Sequence, residues 1–284
     1  VIPWKRFLSA AVCALLLLPL GAGIAAAEED NDILELRNEY IRIVANTGEQ
    51  NTGRFSVGTT GGDPDREEDE NKHLIYGGDD PWASFTTVRI GDRNWVFGGS
   101  TDRRAGRDGR YGEAIQKPTL EDDAIVTVYE LGPLEVKQHL TFTRSSTTGL
   151  EDTARIKYVV TNKDETSHLV GMRVMIDTML GENDGAPFRI EDEAVLTDQV
   201  YYSHDMPEFW QAFDSLSDPQ VMAQGTLSGE GVSTPDRAYF SNWGSLADDV
   251  WNFDFRPGRD FTRQGEWELD SAMAMFWDPA PLQA

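Results

Sequence analysis

The chain has 284 residues, with 49 acidic against 25 basic side chains and a net charge of −24. A surface this negative repels nucleic acid and anionic lipid headgroups and favours cations, which argues against the first two as partners. The single cysteine, Cys13, sits in an N-terminal apolar run, so beyond that run there is no disulfide, no catalytic thiolate and no thiolate metal site.

That apolar run has the form of an export signal. Lys5 and Arg6 make a positive start, Phe7 to Leu20 is apolar, and Ala25-Ala26-Ala27 gives a small-residue cleavage site before Glu28, Glu29 and Asp30. The apolar stretch falls short of the roughly 20 residues a membrane span needs. The expectation is a signal peptide over 1–27, a mature N-terminus at Glu28, and a secreted, periplasmic or cell-surface protein without stable membrane insertion. Removing the two positive charges of Lys5 and Arg6 takes the net charge from −24 to −26. No composition shift marks a linker, so residues 28–284 are read as one domain, with a last strand missing or contributed from elsewhere.

Almost every later segment reads at period two. Asn38 to Val44 and Arg54 to Gly58 are strand-like. An acidic loop follows, in which Asp63, Asp65, Glu67, Asp69 and Asn71 alternate. Ser84 to Ile90 and Asn94 to Phe97 make a hairpin across Gly91-Asp92. Gly98 to Gly112 is a glycine-rich loop and the one basic island along the chain. Ala124–Leu131, Leu134–Arg144, Thr153–Asn162 and His168–Thr178 follow one another across short turns, which predicts an antiparallel meander. In the last of these, Val170, Met172, Val174 and Ile176 alternate onto one face and Arg173, Met175 and Asp177 onto the other, as in a half-buried strand.

From Leu180 to Pro187 two glycines, a proline and two acids break that strand into a loop. Met206 to Leu216 fits a short helix, with Asp205 and Glu208 as a capping box and Met206, Phe209, Trp210 and Phe213 on one face. The same stretch also alternates Phe209, Gln211 and Phe213. Gln220–Leu227, Ala238–Trp243, Asp249–Phe255 and Ser271–Trp277 read as strands. The fold class that follows is all-β, a large antiparallel β-sandwich with at most one or two short helices.

The run VGMRVMIDTMLGENDGAPF, the later STPDRAYFSNWG and the closing SAMAMFWDPAPL resemble segments of secreted bacterial β-proteins. Their strand pattern is similar to the large sandwiches of the galactose-mutarotase-like group. The resemblance implies a supersandwich found beside carbohydrate-active domains. The catalytic histidine and glutamate of mutarotases match no motif here, so no catalytic residue is carried over.

Two sets of residues carry chemistry. The loop after the long strand offers oxygen ligands for Ca2+ from Asp177, Glu182 and Asp184, although its spacing departs from the EF-hand consensus and a solvated turn is the plainer alternative. Arg173, Tyr202, Trp210, Trp243 and Trp251 are candidate ligand-binding residues, because aromatic faces beside polar groups hold sugar rings; core packing is the alternative for each. No carboxylate pair stands out for glycoside hydrolysis, and no paired-histidine motif suggests zinc. The functional expectation is therefore a secreted non-catalytic β-sandwich binding glycan or another envelope component. The alternatives are a carbohydrate-active hydrolase or epimerase using loop carboxylates, and a structural envelope or assembly protein.

Overall fold

The structure, a computed structural model, describes residues 32–266 and 269–284. The expected signal segment lies outside the described residues. Strands β1 (Ile33–Arg37), β2 (Ile41–Asn46) and β3 (Phe55–Thr59) form a three-stranded antiparallel sheet. A hairpin of β4 (Phe85–Ile90) and β5 (Arg93–Val96) follows, and β6 (Arg110–Tyr111) joins β5 in parallel. Then come β7 (Glu113–Glu121), β8 (Ala124–Leu131), β9 (Leu134–Thr143) and β10 (Thr153–Asn162), paired antiparallel in the order β10-β9-β8-β7. The remaining elements are β11 (His168–Asp177), β12 (Phe188–Ile190), β13 (Glu193–Val195), β14 (Gln199–Tyr202), β15 (Phe209–Phe213), β16 (Met222–Thr226), β17 (Arg237–Asn242), α1 (Trp243–Ala247) and β18 (Ser271–Leu282). A seven-stranded sheet runs β14-β17-β18-β11-β4-β5-β6, and a small sheet runs β13-β12-β15-β16.

The all-β sandwich reading holds: the regular structure of the described residues is several antiparallel sheets and one five-residue helix. The meander differs in membership. β8, β9 and β10 pair in sequence as expected, but the fourth strand is β7; β11 crosses to the seven-stranded sheet and lies between β4 and β18. Val88, Phe97, Leu131, Leu134 and Val136 fill the space between those two sheets. A larger cluster around Leu36, Ile43, Ile125, Leu140, Phe188 and Phe240 joins the small sheets to them.

From Arg173 to Asp177, β11 is also buried on both faces rather than one. Val174 and Ile176 face the main core, while Met175 faces a second cluster made by Phe85, Phe276, Trp251 and α1. A segment hydrogen-bonded on both sides and covered on both faces is well protected from local opening. Gly171 suits that crowding: a Cβ there would sit 3.0 Å from both Pro279 and the Trp251 ring.

Three local expectations are corrected. Met206–Leu216 is not helical, because β15 pairs with β16 from Phe209↔Thr226 to Phe213↔Met222 and with β12. Asp205, expected to cap that helix, instead accepts the Tyr202 N–H at 2.9 Å and closes a turn behind it. Asp249–Phe255 is a loop, since Asp249 Oδ1 accepts the N–H groups of Trp251 and Asn252 and bends the chain there. The strand expected through Trp243 stops at Asn242, whose side chain caps α1 by accepting the Ser245 N–H at 3.0 Å.

Candidate metal centre

Asp177 is the last residue of β11, Asp184 lies in the following loop, and Asp270 immediately precedes β18. Each offers a carboxylate oxygen, and the three oxygens lie within 4.8 Å of one another. Hydrogen bonds to backbone carbonyls hold the three segments together. The Ser271 N–H donates to the Asp184 carbonyl at 3.0 Å, the Thr178 hydroxyl donates to the Ser271 carbonyl at 2.8 Å, and the Ser271 hydroxyl donates to the Ala186 carbonyl at 2.8 Å. The loop itself is folded by reciprocal Leu180–Asn183 backbone bonds with Gly181 at a φ of 61°, and by Asn183 Oδ1 accepting the Gly185 N–H.

Asp177 is the anomalous member. It is 3% exposed, its N–H donates to the Ser84 hydroxyl oxygen, and its Oδ1 has no hydrogen-bond partner among the described residues. Burial, and then the neighbouring Asp270 and Asp184, push its carboxyl well above the ordinary value of 3.8. Tyr76, whose N–H donates to the Asp177 carbonyl, has its phenol raised by burial and by the field of Asp184, Asp177 and Asp270. Three acids of one sign in a half-dry pocket repel one another, and a buried carboxylate lacking partners costs several kcal/mol. A proton or a cation relieves both costs.

Asp177 and Asp184 are thus brought together, whereas Glu182, expected with them, is exposed and outside the group; it lines a neighbouring hollow with Glu68, Lys72 and Asp214. Its place is taken by Asp270. Residue 270 lies far along the chain from residue 184, and the only trace of its role in the sequence is its position just before a strong strand. In the loop 63–71, Asp69 is buried and uses Oδ2 to accept the Asp63 N–H at 2.9 Å, so this acid shapes a turn.

The expected ligand-binding side chains are not assembled into a surface. Arg173 is fully buried between the Phe85 and Phe276 rings, 5.5 Å from each, and donates to the carbonyls of Leu246 and Asp249 at 2.6 Å. Burial lowers its pKa to about 9. Its task is to anchor the C-terminal end of α1 to the sheet. Trp210 packs edge-on against Phe188, Trp243 donates Nε1–H to the Ala83 carbonyl, and Trp251 packs edge-on against Phe276; all three are buried. Tyr202 alone is exposed, stacked on His204. The aromatic content that suggested sugar faces is spent on the core because a seven-stranded sheet covered on both faces needs large apolar side chains on both.

Compared with known proteins, the chain matches no protein-family model and no curated sequence.

Proposed function

We propose that this chain is an exported, non-catalytic β-sandwich module that holds a divalent cation, calcium by its chemistry, between Asp177, Asp184 and Asp270. The observation that carries this reading is Asp177, only 3% exposed, with an Oδ1 that has no hydrogen-bond partner among the described residues and two further carboxylates with oxygens within 4.8 Å. Calcium takes oxygen ligands at about 2.4 Å, so ligand atoms of one ion stand at most about 4.8 Å apart. The set is all oxygen, which favours a hard cation over zinc or copper. The ion would tie the end of β11, the following loop and the start of β18 into one unit. The wider role, recognition of a glycan or another envelope component by the loops so fixed, rests on the signal pattern of residues 1–27 and the sandwich class. The likeness of three sequence runs to galactose-mutarotase-like sandwiches supports the same reading.

The raised Asp177 pKa favours a second reading, a carbohydrate-active enzyme with Asp177 as general acid. Against it, these oxygens stand closer than the roughly 5–5.5 Å of retaining glycosidase pairs, and a buried acid has little access to a leaving group. Terbium luminescence decides between them. Tb3+ bound beside Tyr76 would be sensitised by excitation of the protein, displaced by Ca2+, and lost in Asp177→Asn. Absence of saturable, calcium-displaced emission sinks the cation reading. Hydrolysis of an aryl glycoside, abolished by Asp177→Asn, would install the enzyme instead.

A further inference from the structure

The four-stranded sheet ends in two edge strands, β7 and β10, and they are built differently. β7 shifts register twice against β8 and carries Pro118, and both devices keep a further strand from pairing along it. β10 has neither. It pairs with β9 residue for residue from Thr153↔Thr143 to Asn162↔Leu134, over ten residues without proline or glycine. On its other side β10 makes no backbone hydrogen bond to another element among the described residues. The edges of the other sheets are strands of five residues or fewer.

Burial shows the same opening. On the core side of β9, Val136, Gln138 and Leu140 are at most 1% exposed. Their partners on β10, Val160, Tyr158 and Ile156, are only half-buried, because no strand lies beyond them. The outward row of β10 carries charge of the minority sign. Arg155 and Lys157 are exposed, and neither makes an ion pair among the described residues. Arg155 donates one long hydrogen bond, 3.4 Å, to the Gly231 carbonyl. Lys157 stands opposite His139, and Val159 opposite Lys137, so the basic row continues onto β9. Charge on an edge strand is a common guard against pairing. In a chain of net charge −24, a guard that works by repelling other copies would be acidic, and this one is basic. A second copy does not fit the edge either: β10 beside β10 would bring these cations together, and β7 is too irregular to lie along it.

We propose that the free edge of β10 takes one more strand from an acidic, extended segment of a partner protein. Main-chain hydrogen bonds would form to every second residue of β10. Carboxylates of the partner would lie beside Arg155 and Lys157, and its apolar side chains beside Ile156, Tyr158 and Val160. The probe is an end-capped, fluorescent octapeptide alternating valine and glutamate, titrated with the full chain and read by anisotropy. Saturable binding is expected, and the valine–lysine counterpart should not bind. The double variant Arg155→Gln with Lys157→Gln, both exposed positions, should weaken the peptide at least tenfold with no change in melting temperature. Asp177→Asn, in the acidic cluster, should leave the peptide isotherm unchanged. Two further peptides, N-methylated at every valine or at every glutamate, separate strand pairing from charge alone. Each loses the N–H groups of one strand edge, so one should lose at least tenfold in affinity while the other stays within threefold. Equal behaviour of the two overturns the proposal, and equal retention would leave a general polyanion surface in its place. A double variant that binds as tightly as the parent overturns it too.

Discussion

Without the proposed cation, Asp177 should be a liability that grows with pH. In metal-free protein the folded-state pKa of Asp177 lies well above its unfolded value near 3.8, because of burial and two neighbouring acids. The folded state then holds a proton that the unfolded state has released. Stability from this group is fully present below pH 3.8 and is lost as pH rises toward the folded-state value. The loss is about 1.4 kcal/mol for each pH unit in that window. For a domain of this size, 1 kcal/mol moves the melting point by about 2–4 °C, so metal-free protein should lose about 3–6 °C per unit. Calcium competes with that proton, and at a hundredfold excess over Kd it returns about 2.7 kcal/mol. Thermal unfolding followed by circular dichroism between pH 4 and 8, with EGTA or with calcium and sodium at matched ionic strength as the control, reads both effects. Asp177→Asn has the same shape and no charge to bury, so it should flatten the metal-free slope and abolish the calcium-specific rise together. Parallel pH profiles for parent and variant, or equal shifts with sodium and calcium, would refute the reasoning.

Asp270→Asn should weaken calcium at least tenfold by terbium competition while Glu182→Gln leaves it within twofold; the reverse order would place the site in the loop alone. His139 should titrate below 6.5, because burial and then Lys137 and Lys157 disfavour its cation. Its contribution is therefore present above pH 6.5 and shrinks as pH falls through the folded-state value, and Lys157→Gln should move the imidazole pKa upward by NMR. Phe240→Ala, at a fully buried position touching Phe188 and Tyr201, should destabilise by about 3–5 kcal/mol in urea unfolding. Sequencing of exported protein should begin at Glu28; material starting at Val1 or held in the cytoplasm would remove the signal reading.

Most of the strands were legible because alternation and turn chemistry are local signals. β8, β9 and β10 are joined by Gly132-Pro133 and a short serine- and threonine-rich turn, so neighbours in sequence became neighbours in space. β11 was legible as a strand but not in its placement. Its partners β4 and β18 lie far from it along the chain, one before and one after it, and no local pattern encodes such a pairing. Met206–Leu216 misled because five alternating residues also satisfy a helical period over one turn, and pairing with β16 decided it. The acidic cluster was half legible for the same reason. Asp177 and Asp184 share one strand–loop unit, whereas Asp270 arrives through the β11–β18 ladder. The buried tryptophans were misread because residue type cannot say which face of a sheet is covered.

The position of β18 sets an order of events as the chain is made. The hairpins of β7 to β10 need only residues 113–162 and can close early. β11 must wait with one edge open until residues 271–282 exist, since β18 pairs with it from Asp177↔Ala272 to His168↔Leu282. Long-range pairing of this kind is slow compared with hairpin closure. During that wait an apolar edge is open to any strand that meets it. Asp270 travels with β18, so its carboxylate joins those of Asp177 and Asp184 only when the ladder has zipped. A calcium-dependent signal from this site would then report completion of the last pairing step, and a chain stalled before it would be silent to the ion.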